Sequence, residues 1–179
     1  MATWKSRGLR GSVLEEMINR TNEKYSEQGL ALVQKIPTPI TPIEMNHKTK
    51  QITLAYFDKK STVDYIGAIQ GIPVCFDAKE CAKDRFSLAN IHDHQVKFMS
   101  DFEKQGGISF FLIHFTSCDK FYYLRLCELL VFYNRAIEGG RKSFNIDELN
   151  TDYFIEDTNG PFIPYLGFIQ MDLDERVDE

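Results

Sequence analysis

Thr62-Val63-Asp64-Tyr65-Ile66-Gly67-Ala68-Ile69-Gln70-Gly71-Ile72-Pro73-Val74-Cys75-Phe76-Asp77-Ala78-Lys79 is the stretch that decides the fold. Two apolar runs flank Gln70-Gly71, and a glycine in a two-residue connection between such runs marks a β-hairpin. With those two residues as the loop, Asp64 falls opposite Asp77 and Thr62 falls opposite Lys79. Side chains two apart on a strand share a face, so these four point the same way. Val63, Tyr65, Phe76 and Ala78 point to the other face.

Working outward, Leu14, Met17, Ile18, Thr21 and Tyr25 recur at helical spacing, which predicts a helix over 14–28 with Ser12 as N-cap and Gly29 as stop. Residues 30–36 read as a buried strand. Pro37, Pro39 and Pro42 then end regular structure and force an extended, stalk-like excursion over about 38–51, with Ile40 to Lys50 as its projecting part. The chain returns through Ile52 to Phe57. Beyond the hairpin the pattern predicts a helix over 91–105 stopped by Gly106-Gly107, then strands over 108–115 and 121–126. A helix over 127–137 follows, ended by Gly139-Gly140. This order fits a single α/β domain spanning 1–179, with a central mixed sheet flanked by helices.

The chain has 179 residues, of which 43% are hydrophobic and 13% aromatic, enough to bury a core. Its longest near-continuous apolar run, Ile108 to Phe115, has strand length, far short of a membrane span. The first residues lack the apolar segment of a secretory signal, so a cytoplasmic location is expected, with no membrane partner. Cys75, Cys81, Cys118 and Cys127 form no C-x-x-C pair; ordinary thiols fit this spacing better than zinc ligation or a disulfide framework. A net charge of −5 argues against coating nucleic acid by bulk electrostatics, though not against local contact. Basic residues do cluster at Lys5, Arg7 and Arg10, at Lys48 and Lys50, at Lys59 and Lys60, and at Arg141 and Lys142. Acidic residues crowd positions 172–179, which reads as a solvated tail.

The hairpin carries the chemistry. Two carboxylates directly opposite each other repel and weaken the pairing, and a bridging divalent cation removes that penalty. Mg²⁺ suits the arrangement, because it takes oxygen ligands and is commonly held by one or two carboxylates plus waters and a substrate phosphate. Lys79 beside such a cation could polarise a phosphate, orient water or steady developing negative charge. That is the logic of D-(x)n-(D/E)-x-K nucleases. The bland alternative is a solvated face screened by water and Lys79, and Pro73 could introduce a bulge that shifts the facing pairs. Elsewhere the ordinary readings lead. His92 and His94 do not share a helix face and suit capping or surface roles. His114 sits in an apolar run as a core histidine, Glu15 and Glu16 lie on a solvated helix face, and Phe110, Phe111, Phe115, Phe121, Tyr122 and Tyr123 are sheet core.

Several blocks together resemble the RecU-type Holliday junction resolvases: Lys35-Ile-Pro-Thr-Pro, Ala55-Tyr-Phe, Thr62-Val-Asp-Tyr-Ile-Gly, Phe76-Asp-Ala-Lys-Glu, Phe86-Ser-Leu, Asn90-Ile-His-Asp-His-Gln, Gly107-Ile-Ser-Phe, and Asn134-Arg followed by Gly139-Gly-Arg-Lys-Ser. Their order holds from about Gly11 to Leu166. The resemblance implies a restriction-endonuclease-like fold and a homodimeric, Mg²⁺-dependent enzyme that nicks four-way DNA junctions symmetrically, with a recombinase as a possible partner. By motif, Thr62, Asp64, Asp77 and Gln95 match the metal-site positions and Lys79 the lysine that stabilises the transition state. Glu15 matches an acidic residue on the first helix near the site. The excursion matches the stalk that family members project into the junction centre. Lys35, Lys48, Lys50, Arg141 and Lys142 are the candidate DNA contacts. Gln95 enters through the resemblance alone. The family usually has glutamate where this chain has Asp77, which puts metal placement or preference in question. Two rival functions stay open: a same-fold nuclease acting on ordinary duplex or flap DNA, and a non-catalytic junction- or recombinase-binding module.

Overall fold

Gln70 and Gly71 make the turn on which the sheet is built. Both have positive φ, 47° and 93°, the geometry of the two-residue hairpin turn whose twist matches its flanking strands. The computed structural model describes residues 13–57, 62–156, 160 and 162–177. In chain order its elements are α1 (Val13–Glu27), β1 (Leu32–Lys35), β2 (Ile40–Asn46), β3 (Gln51–Phe57), β4 (Tyr65–Ile69), β5 (Ile72–Cys81), β6 (Arg85–Ser87), α2 (Asp93–Glu103), β7 (Ile108–Phe115), β8 (Lys120–Arg125), α3 (Leu126–Ile137), β9 (Ser143–Asn145), β10 (Phe154–Ile155) and α4 (Leu166–Val177). Short 3₁₀ turns cover Leu88–Asn90, Ile146–Glu148 and Thr151–Tyr153.

The main sheet has six strands in the order β1-β4-β5-β7-β8-β10, with one parallel pairing, β5 with β7. It is the central mixed sheet flanked by helices that the resemblance implied. β4 pairs with β5 from Tyr65↔Phe76 to Ile69↔Ile72, without a bulge at Pro73. β7 is buried at all eight positions, as expected of a strand covered on both faces. An aromatic ladder fixes the packing of one face. Tyr65 stacks on Phe76 at 4.7 Å, Phe76 on Phe110 at 4.6 Å, and Phe110 on Tyr123 at 4.3 Å, spanning four adjacent strands. α1 and α4 cover that face: Tyr165 packs on Tyr25 and Phe76, and Phe168 on Tyr123. α2 covers the other, where Ser109 Oγ donates to the Met99 carbonyl at 3.1 Å. α3 joins it there, Tyr133 donating its hydroxyl proton to Asp93 at the start of α2. Strands β6 and β9 form a separate pair, stapled to α3 by stacked Phe86, Phe144 and Phe132. The excursion is a two-stranded sheet of its own, β2 with β3. Its turn is closed by Asn46 Oδ1, which accepts from the amides of Lys48 and Thr49.

Several sequence expectations are corrected. Residues 30–36 do not form a buried strand; β1 is the sheet edge, with a neighbouring strand on one side only in the described sheet, and Leu32 is 70% exposed. The helix expected over 91–105 runs Asp93–Glu103, with His92 as its N-cap, and the strand expected to reach Leu126 stops at Arg125. The acidic run from 172 is no solvated tail. Its first six residues end α4, where Asp172 is fully buried, accepting from Tyr123 Oη at 3.1 Å and from Arg176 at 2.9 Å. Arg176 also donates to Glu103 at 2.8 Å, and Glu175 pairs with Arg125 and accepts from Tyr153. Ser12, the basic residues Lys5, Arg7, Arg10, Lys59 and Lys60, and the last two acidic residues lie outside the described residues. Cys75 and Cys81 are buried thiols, Cys118 and Cys127 exposed ones. Among the described residues no helix is long and apolar enough to cross a membrane.

Replacing Asp172 with Ala leaves the Tyr123 hydroxyl and the Arg176 guanidinium without their carboxylate. The expected cost is about 3 kcal/mol, read as a lower urea midpoint with unchanged slope. An unchanged midpoint would mean that α4 docks by apolar contact alone.

Candidate metal centre

The ladder between β4 and β5 ends at Tyr65↔Phe76, one residue short of the aspartates. Beyond it, side chains replace backbone acceptors. The Asp64 amide donates to Asp77 Oδ1 at 3.1 Å, and the Ala78 amide donates to Asp64 Oδ2 at 3.0 Å. Each carboxylate is thus held by a main-chain N–H of the opposite segment, a charge-assisted bond that fixes its position. The Asp64 carbonyl accepts from Ile36, so the segment after β1 closes the pairing at 2.7 Å. Asp77 and Lys79 face α2, while Glu80, on the alternate face, accepts from the Leu14 amide at the start of α1 at 3.2 Å.

Asp77 is fully buried, with Lys79 Nζ 2.5 Å from its Oδ2 and Gln95 Nε2 donating to the same oxygen at 3.0 Å. Gln95 is itself held at both ends, since its Oε1 accepts from the His92 amide at 3.1 Å. This is half of a capping box, with Gln at the third helical position closing the first turn of α2. Burial, then the neighbouring Asp77 charge, pushes the Asp64 carboxyl up to about 6. The pair therefore carries the like-charge stress expected of facing acids, relieved on one side by Lys79.

Of the other sequence candidates, Thr62 lies half-buried two residues before Asp64. Glu15, on α1, pairs with Lys35 at 2.9 Å, and its carbonyl accepts from Tyr65 Oη at 3.4 Å. Lys35 pairs across the sheet with Tyr65, so Glu15 and Lys35 meet at the sheet edge on the α1 face, the reverse of the face that carries Asp77 and Lys79. Lys48 and Lys50 are exposed at the tip of the β2–β3 hairpin. Arg141 pairs with Glu148 at 3.1 Å, and Lys142 is exposed beside it. His92 and His94 stack ring on ring at 5.4 Å on the first turn of α2. His114 is buried, stacked on Phe121 and bonded through Nε2 to Asp119 at 2.9 Å.

A model of the recombination protein U family matches residues 9–171, nearly the whole length. The chain belongs to the recombination protein U family. Among curated members, the Holliday junction resolvase RecU of Pediococcus pentosaceus is 40% identical over 164 residues, covering 89% of this chain and 82% of its own length. That of Lactococcus lactis subsp. lactis is also 40% identical, with 90% and 78% covered. That of Oceanobacillus iheyensis is 43% identical over 142 residues, with 77% and 72% covered. Membership agrees with the ordered blocks read in the sequence. Gln95 is the residue that local reasoning from the family-independent pattern missed. Histidine is a poor N-cap, so the box it opens left little signal, although glutamine at the third helical position was readable.

The donor set fits a hard divalent cation. Two carboxylates converge, with the Thr62 hydroxyl two residues before Asp64, while Gln95 turns its amide nitrogen to Asp77 and keeps its oxygen on the His92 amide. Among the described residues, no cluster of three His, Cys, Asp or Glu side chains offers a softer or fuller cage. A raised Asp64 pKa means that the fold penalises its ionised form. That penalty is absent below the ordinary aspartate value, grows through about pH 6, and is complete above it. Asp64→Asn should therefore stabilise the metal-free protein at about pH 8, by about 1–2 kcal/mol after discounting partial solvation, and add nothing in acid below both values. Chemical denaturation in EDTA at the two pH values checks this. Equal effects at both, or destabilisation at the higher pH, would contradict it.

Proposed function

We propose that the chain is a Holliday junction resolvase, a structure-selective endodeoxyribonuclease whose cutting centre is Asp64, Asp77 and Lys79. The observation that carries this reading is the carboxylate pair with Lys79 2.5 Å from Asp77, in a chain whose relatives carry that resolvase name. Asp64 and Asp77 would hold Mg²⁺, with Thr62 and Gln95 assisting directly or through water. When bound, the ion supplies Lewis-acid polarisation of the phosphate and an acidified water.

The chain's own groups do the rest. Their main-chain donors hold Asp64 and Asp77 in place before substrate arrives, which spares reorganisation at the moment of reaction. Lys79 sits beside Asp77 with its side chain one-fifth exposed, reachable by a phosphate oxygen while partly shielded from water. There it neutralises negative charge as water adds to phosphorus and an ester oxygen departs. Gln95 keeps Asp77 oriented by donating to Oδ2. Lys35, still partly exposed in its ion pair with Glu15, would be available to a backbone phosphate that runs past the sheet edge. Lys48 and Lys50 on the hairpin tip, with Arg141 and Lys142, add further phosphate contacts, so selectivity rests on junction shape more than on base reading. The β2–β3 hairpin would enter the junction centre, and two chains would present two centres to opposed strands as a homodimer. A recombinase is a further candidate partner.

Asp77→Asn should cut a four-way junction at least about 10³-fold more slowly, and Lys79→Met about 10²–10³-fold. Both should bind the junction within a few-fold of wild type. Single-turnover nicking beside a mobility-shift titration separates the two effects. Retained cutting by Asp77→Asn would remove that residue from the mechanism. Equal cutting of matched linear duplex would keep the chemistry and change the substrate. Binding without any cutting by wild type would favour the non-catalytic module.

A further inference from the structure

The first turn of α2 has the carboxylate pair on one flank and, on the other, a cavity of about 490 Å³ that the reaction above does not use. Leu88, Ile91 and Ala136 give it an apolar floor, and Asp93, Tyr133 and Lys142 supply its polar lining. Tyr133 bridges it, donating to Asp93 from α3. Lys142 is set at the rim by its main chain, whose carbonyl accepts from the Leu88 amide at 3.1 Å. Asp93 and Gln95 are two apart on the helix and so point to opposite flanks. Gln95 touches Asp77 on one side while Asp93 faces the cavity on the other.

We infer that this cavity receives one unstacked base of the strand being cut, close to the scissile phosphate; the inference rests on the resolvase reading. Its distance from the site is about one helix diameter, roughly 10 Å, or about three stacked base steps at 3.4 Å each. An apolar floor beside the Tyr133 ring suits a flat aromatic face, which stacks without regard to sequence. Lys142 at the rim matches the phosphate that must accompany the base. The Asp93 carboxylate accepts only, and every base offers it an N–H, the exocyclic amine of adenine, cytosine or guanine or the ring N3–H of thymine, so the base is held without regard to sequence. A base at the exchange point of a junction leaves its stack at lower cost than one inside continuous duplex, which supplies the occupant.

The test uses a four-way junction in EDTA, with 2-aminopurine placed in turn at each position flanking the cut. Binding wild type should raise fluorescence about threefold at one position, within about three steps of the cut, and at no other. Ala136→Phe fills the cavity, and Ile137→Trp, at a 75% exposed position on its wall, covers the mouth without burdening the core. Both variants should bind the junction as wild type does and lose the fluorescence rise. An unchanged fluorescence in both variants, or a flat scan with a junction that wild type binds and cuts, would overturn the cavity's role and leave the resolvase reading standing. A junction neither bound nor cut by wild type would take both down.

Discussion

Two negatively charged side chains facing each other across a β-hairpin are the constraint on which the rest of this molecule turns. Asp64 and Asp77 would separate if left to solvent. They stay because each accepts a main-chain N–H from the other's strand, and because the strands beneath them cannot move. The tight Gln70-Gly71 turn sets the register. The stacked series Tyr65, Phe76, Phe110 and Tyr123, on the reverse face of the same strands, resists any slip, since moving one residue would turn those rings outward and the aspartates inward. The stress of the pair is visible in Asp64, whose carboxyl is pushed up to about 6. The stress sits at one point, and the remaining core supplies the stability that the pair removes.

The second element is α2, which enters the site by its N-terminus. Gln95 is clamped between the His92 amide and the Asp77 carboxylate, so the orientation of the helix and the orientation of the acid are one variable. Tyr133 ties the same turn to α3 through Asp93, and α3 leads to the basic pair Arg141 and Lys142. Buried acid, helix cap and basic pair are thereby set by neighbouring bonds within a single layer of the fold.

The sheet centre was readable because its signals are local. Alternation, the Gln-Gly turn and the glycine stops at Gly29, Gly106 and Gly139, all with positive φ, place α1, β4, β5, α2, β7 and α3 within a residue or two. The facing of Asp64 and Asp77 followed from the turn alone. The sequence was less informative where tertiary contacts overrule composition. The acidic run at 172–177 looked solvated, yet Leu166, Ile169 and Leu173 already had helical spacing, and the charges are absorbed by Tyr123 and Arg125 from the distant β8 and by Arg176 one turn on in the same helix. Likewise β1 has the composition of a buried strand, but its position at the edge depends on where the sheet ends, which no local pattern encodes. The short strands β6, β9 and β10 are too brief to leave a period.

The most direct measurement is the effect of saturating Mg²⁺ on the unfolding free energy at about pH 8, for wild type and for Asp64→Asn with Asp77→Asn together. If the pair is a cation site, Mg²⁺ stabilises wild type by mass action and does nothing for the double variant. If Mg²⁺ stabilises both equally, or leaves wild type unchanged, the facing aspartates are not held together for a metal and the proposed chemistry loses its centre.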